Sequence, residues 1–334
     1  MYDKSLHRFS VITAVSTFVL IFIGGLVTST GSGLSVPDWP TTYGQNMFTF
    51  PIDKWVGGIK YEHGHRLFAS FVGFLTVVLT IWIALKEDRL WVKWVSYFAL
   101  GAVLLQGVLG GLTVIFLLPT AVSIAHGMLA QAFFCTVSAI ALFTSKWWRE
   151  EQKGIMLEGI ASLQSIAIFA SVIIFIQLIF GALMRHTYSG LSVPDFPLAY
   201  GQLLPSLSPD ALNSYNQELM NNGLKSSGDK PVAAYQIVVH LIHRYWAVMV
   251  AGLLIYFGYK IWNTKFLPMK LRKMGLFLLS LVVVQFMLGI LTILSKKEYI
   301  ITSLHVVIGA LVLVTCILIA LQISRIRWLS RKTV

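Results

Sequence analysis

Long apolar stretches recur along this chain, separated by short clusters of charged, Gly or Pro residues. Eight of them approach the roughly 20 residues a helix needs to cross a bilayer. They run approximately Phe9 to Thr28, His65 to Leu85, Trp94 to Leu117, Ala121 to Phe143, Ile160 to Leu183, Gln236 to Ile261, Met274 to Leu294 and Tyr299 to Ile323. The pattern predicts an all-α integral membrane protein with eight transmembrane helices. Composition agrees: 56% of the 334 residues are hydrophobic and only 12% charged, where a soluble domain carries about a quarter charged. The first run is longer than a signal-peptide core and lacks a small-residue cleavage site, so it is expected to be a retained helix.

Charge sets the expected orientation. Basic residues gather at the N-terminus (Lys4, Arg8), in the second linker (Lys86, Arg89, Lys93), in the fourth (Lys146, Arg149, Lys153), in the sixth (Lys260, Lys265, Lys270, Arg272, Lys273) and in the tail (Arg325, Arg327, Arg331, Lys332). Basic segments stay on the cytoplasmic side, so both termini are expected there. The same asymmetry accounts for the net charge of +12 and implies no nucleic-acid partner. Cys135 and Cys316 fall inside apolar runs and are expected to be small buried residues, not a disulfide framework.

The polar interruptions reveal a duplication. GLSVPDWPTTYGQ (Gly33 to Gln45) returns as GLSVPDFPLAYGQ (Gly190 to Gln202). EHGHR (Glu62 to Arg66) is followed later by HLIHR (His240 to Arg244), and QGVLGGLTV (Gln106 to Val114) by QFMLGILTI (Gln285 to Ile293). Each copy holds four spans, an even number, so both enter the membrane from the same side. The expected fold is two tandem four-helix bundles, residues 1–150 and 151–334, related by a pseudo-two-fold axis along the membrane normal. In the repeated loops Gly33 and Gly190 are expected to supply special backbone conformations. The Pro residues forbid regular helix, and the aromatics suit the headgroup level. Such a loop is an interfacial turn that lids whatever lies beneath it. A polar insertion from about Leu203 to Lys230 lengthens the second loop and reads as a flexible interaction segment or a simple excursion.

His65 and His243 begin the second span of each copy, and His126 and His305 the fourth. Ionisable residues inside spans mark functional sites. Two imidazoles per four-helix unit, at matched depth near the outer face, suit the axial positions of a haem iron in a bundle core. Zinc asks for more ligands, whereas copper stays open by ligand type. Arg66 and Arg244, next to these histidines, are placed to pair with haem propionates. Three residues before His65 stands Glu62, where the second copy has His240. At that spacing Glu62 shares a helix face with His65, and an acid there suits proton exchange. The asymmetry suggests chemistry in the first half and a permanent cofactor in the second.

These residues together resemble the haem A synthases of respiratory-oxidase assembly: the Glu-x-x-His-Arg run at Glu62, His65 and Arg66, His126 opening the fourth span, His243 and His305 in the second half, and the PDWP and PDFP loops. The resemblance covers essentially the whole chain. It implies oxidation of the C8 methyl of haem O to a formyl group, giving haem A, with haem O held as substrate in the N-terminal half and haem b in the C-terminal half. Glu62 would be the catalytic group. A haem O synthase, an electron donor and a second copy of the chain are the partners it suggests, in a prokaryotic plasma membrane. Many relatives carry a cysteine pair in the first outer loop, but this chain has none between Thr28 and Glu62 and has Val36 beside its PDWP stretch. The competing class is a non-enzymatic di-haem cytochrome b, which needs the same histidines but gives Glu62 no task.

Overall fold

A computed structural model describes residues 2–150, 159–224 and 231–331. Eight of its helices are long and apolar enough to span a membrane: α1 (Lys4–Ser29), α2 (Ile59–Lys86), α3 (Leu90–Ile115), α4 (Thr120–Thr144), α6 (Ile160–His186), α8 (Ala234–Asn263), α9 (Met269–Leu294) and α10 (Tyr299–Ser330). A short α5 (Lys146–Arg149) follows α4, and α7 (Pro209–Asn221) lies in the second long loop. Every expected span is present. Most extend a few residues beyond the apolar run, because caps and polar ends continue the helix past the lipid core. Asp3 shows this at α1, accepting the Ser5 and Leu6 amides at 2.9 and 3.0 Å.

Packing follows the duplication. Helices α1 to α4 close one ring of neighbours, α1 on α2, α2 on α3, α3 on α4 and α4 on α1, and α6, α8, α9 and α10 close another. Between the rings α1 meets α10 and α4 meets α6, a crosswise exchange that a two-fold axis along the membrane normal produces, and α4 meets α10 at the centre. Those two are the most buried spans. Each ring has its own apolar core, one around Val72, Leu79, Phe133 and Ile140, the other around Leu254, Phe257, Leu278 and Leu313. Val307, Ala310 and Val314 of α10 pack into the first core as well. Small residues let the spans approach: a Cβ on Gly258 of α8 would stand 2.9 Å from the Gly275 carbonyl of α9. Buried hydroxyls return their bonds to their own helix, as Ser10 Oγ does to Leu6 O at 2.8 Å.

The ends of the bundle differ. The two long loops and the short α3–α4 and α9–α10 bends share one end, here called the loop end. At the opposite end Glu87, at the α2–α3 turn, is fully enclosed and accepts Arg89 Nε at 2.8 Å and Arg149 Nη2 at 2.6 Å. Burial alone would raise its carboxyl, but bonds from Arg89 and the charges of Arg89 and Arg149 outweigh that and hold it at about 2. A folded-state value below the ordinary one stabilises above that ordinary value and stops doing so as pH falls through the folded one. Glu87→Gln is therefore expected to lower the thermal midpoint in detergent at pH 7 by the equivalent of about 2–3 kcal/mol. The difference from wild type should shrink as pH drops from about 5 towards 2. A deficit independent of pH would show that the charge is not what the pair contributes.

Candidate functional site

The two repeated loops fold alike down to single hydrogen bonds. Asp38 accepts the Tyr43 and Gly44 amides at 2.7 and 2.8 Å, and Asp195 those of Tyr200 and Gly201 at 2.9 and 3.0 Å. Tyr43 and Tyr200 donate their hydroxyls to Ser35 O and Ser192 O, at 2.6 and 2.7 Å. Left-handed backbone falls at Tyr43–Gly44 and Tyr200–Gly201, not at Gly33 and Gly190 as the sequence suggested. The reason is the Asp: its carboxylate gathers two successive amides, and the chain must turn left-handed to present them. Gly33 and Gly190 instead lie under Leu118 and Lys297.

Arginine ties each loop to the helix below. Arg66 donates from Nη1 to Asp38 O and Thr41 O, at 2.7 and 3.0 Å, and from Nη2 to Val36 O at 2.9 Å. Arg244 does the same to Val193 O and Leu198 O, at 2.9 and 3.1 Å. Both guanidinium groups, expected to face a ligand's carboxylates, are thus turned to loop carbonyls. A Pro-rich loop cannot pair its carbonyls internally, and a planar fork of N–H donors satisfies several at once. Glu62 joins this clamp. Its Oε1 accepts Arg66 Nη2 at 2.7 Å, its Oε2 accepts the Val36 amide at 2.8 Å, and its side chain is 4% exposed. Its ion-pair partner is Arg66, one turn on. In the second half His240 takes the equivalent place, with Nδ1 2.9 Å from Ser189 O and Nε2 accepting Arg244 Nε at 2.9 Å.

Below the loops lie the four histidines, each two to three turns or less into its span from the loop end. His65 stands within electrostatic reach of His126, and His243 within that of His305. Each ring rests on a glycine of the neighbouring helix. A Cβ would come 3.1 Å from the His65 ring at Gly24, 3.4 Å from His126 at Gly110, 3.2 Å from His243 at Gly181 and 3.2 Å from His305 at Gly289. Gly24 and Gly181 were not singled out by sequence, although each stands nine residues before the first glycine of its repeated loop. The Nδ1 atoms of His65, His126 and His305 are buried without a hydrogen-bond partner, while His243 has Gln177 Nε2 3.1 Å from its Nδ1. Buried polar atoms left unpaired call for an explanation.

Among the described residues no three His, Cys, Asp or Glu side chains gather to hold a bare metal ion. Paired imidazoles with unused nitrogens, bedded on glycines inside a helix bundle, fit the two axial ligands of a metal already ringed by a macrocycle. Over the first pair, Trp39 of the loop lies on α3 at Gly111, where a Cβ would come 2.5 Å from the indole. Phe196, its counterpart, meets Phe286 and Arg244. His63, also passed over, anchors the first loop from below: it is buried, 3.0 Å from Thr42 Oγ1, between Phe50 and Trp55.

The second loop carries more. Its insertion is folded over residues 203–224, where α7 stacks Tyr215 on Tyr200 with ring centres 3.8 Å apart. Asn216 pairs with the backbone of Val232, at 2.6 and 3.1 Å. A flexible segment is thus replaced by an amphipathic helix burying Tyr215 and Leu219 against Val193 and Ile237. Residues 225–230, the remainder of the insertion, lie outside the described residues.

The chain is similar to several known proteins. A heme A synthase of Shewanella oneidensis is 27% identical over 332 residues, covering 92% of this chain and 93% of its own. One from Halalkalibacterium halodurans is 24% identical over 333 residues, 96% and 98% of the two chains, and one from Alkalihalophilus pseudofirmus is 29% identical over 209 residues, 61% and 67%. The profile described as cytochrome oxidase assembly protein matches residues 7–58 and 59–317, and with nearly all of its length so matched the chain belongs to that family.

Proposed function

We propose that the chain is a haem A synthase, oxidising the C8 methyl of haem O to a formyl group. Residues 1–150 hold haem O as substrate between His65 and His126, and residues 151–334 hold haem b as cofactor between His243 and His305. The observation that carries this is the repeated pair of imidazoles on glycine, beneath loops that differ where Glu62 replaces His240. The names of the similar proteins support the activity.

Bound haem supplies iron redox chemistry that no side chain here can. The protein's part is placement and proton handling. His65 and His126 orient the substrate plane, and Gly24 and Gly110 fix the depth of those rings. Trp39 and the clamped loop screen the first pocket from water. Glu62, one turn from His65, exchanges protons as the methyl is oxidised. Arg66 and Arg244 serve the two pockets through the loops they hold. A haem O synthase would supply the substrate; dioxygen as the source of the formyl oxygen asks for an electron donor, and water as the source asks for an acceptor of the four electrons the methyl gives up. The basic ends support a topology with both termini in the cytoplasm, and the reading puts the haem sites near the outer face of a prokaryotic plasma membrane.

Reversed-phase analysis of haems from cells expressing the chain beside a haem O source tests the activity. Haem A should accumulate, whereas haem b alone would mark an electron carrier. The cofactor pocket has its own test in Gly289→Leu. A side chain at a position already 3.2 Å from His305 must push the ring aside. An overpacking cost of ~1–3 kcal/mol corresponds to roughly tenfold or greater loss of haem b retention, read from the visible spectrum of purified protein. Full retention would show that the ring does not depend on the glycine.

A further inference from the structure

The two halves share a backbone at the loop end but not its charge. Where α1 ends in Thr28 and Ser29, α6 ends in Arg185 and His186, and where the α3–α4 bend has Leu117 and Leu118, the α9–α10 bend has Lys296 and Lys297. Both bends are left-handed at both residues, with φ of 55 and 59 degrees in one and 53 and 65 in the other. The second residue of each bend lies over the matching glycine, Leu118 over Gly33 and Lys297 over Gly190. Equal geometry with unequal charge marks a difference in what each half binds, since the fold alone is served as well by leucine.

Arg185 reaches across to the first half. Its Nη2 donates to Gly25 O and to Ser29 Oγ, both at 2.8 Å. Ser303 Oγ, two residues before His305, donates to the same Ser29 Oγ at 3.1 Å. The Nε and Nη1 of Arg185 donate to no acceptor among the described residues, and neither Arg185 nor Lys297 has an ion-pair partner there. Glu298, the nearest acid in sequence, is turned away to cap α10 at the Ile301 amide, 2.8 Å. Lys297 is within electrostatic reach of Arg185, and Arg185 within that of His305. Burial and the guanidinium nearby hold the Lys297 amine below its ordinary value. Two half-buried cations beside a histidine of the pocket favour a counter-charge, and a guanidinium with free N–H donors is suited to carboxylates.

We propose that Arg185 and Lys297 form the carboxylate-binding rim of the second histidine pocket, taking the propionates of the haem held by His243 and His305. The inference rests on that pocket being a haem site. It also explains why only the second half, the one with a resident cofactor, carries these charges.

Full-length protein purified from haem-starved cells and titrated with haem b and with haem b dimethyl ester, followed by the Soret band, tests it. Wild type should prefer the free acid by tenfold or more. An Arg185→Lys, Lys297→Gln double variant should lose most of that preference while the bis-imidazole band positions stay put. Because Arg185 also links the halves, Lys297→Gln alone, which breaks no protein hydrogen bond, should lower the preference several-fold. An unchanged preference in Lys297→Gln and in the double variant, or equal binding of the two haems by wild type, overturns the inference and leaves the pocket standing. Uptake of haem b by His243→Ala equal to wild type overturns the pocket and the inference with it.

Discussion

Alanine at His243 or at His305 is expected to remove the tightly held haem b spectrum from purified protein. In the proposed pocket each histidine would supply one of two imidazoles, and no third His, Cys, Asp or Glu gathers with them among the described residues to replace it. The remaining imidazole alone would hold haem far more weakly. The protein itself should stay folded, because the core of the second half is built from Leu254, Phe257, Leu278 and Leu313, deeper in the spans. A full haem b complement in both single variants would show that the cofactor is held elsewhere.

Glu62→Gln is the second large effect. Haem O should still bind while its conversion to haem A falls roughly 10²–10⁴-fold, the usual cost of lost acid–base assistance. The clamp complicates this in an instructive way. Glutamine can still accept from Arg66, but its amide would meet the Val36 N–H that Glu62 now accepts. If Glu62 only holds the loop, Glu62→Gln and Arg66→Gln should lose haem O binding and conversion in step. If Glu62 exchanges protons, its variant loses conversion well beyond any loss of binding, and the pH profile of the residual activity changes. Near-normal haem A production by Glu62→Gln would leave the first pocket as a device for positioning alone.

The duplication and the spans were legible because their signals are long. Apolar runs of about 20 residues and a loop of thirteen repeated positions survive any local ambiguity. The four paired histidines stood out for the same reason, recurring in matched positions of the two copies. Gly24 and Gly181 were hidden, since a glycine in an apolar helix looks like ordinary packing; only their shared distance from Gly33 and Gly190 distinguishes them. The loop contacts of Arg66 and Arg244 were not legible, because adjacency to a histidine in sequence says nothing about carbonyls arriving from a distant loop. Helix α7 was readable and overlooked: Ser208 caps it, Pro209 opens it, and Leu212, Tyr215 and Leu219 fall on one stripe. Arg185 and Lys297 gain meaning only beside Thr28 and Leu118, after the halves are overlaid in space.

Helix α7 also orders events in time. The second loop is held down by Arg244 from beneath and by the stacked Tyr215 from above, whereas the first has its arginine clamp and no such overlying helix. On the proposed reading, a large planar ligand passing under the second loop has to displace α7, so that pocket is expected to exchange its occupant more slowly than the first. The first pocket, covered by one clamped loop, is the one this reading expects to turn over.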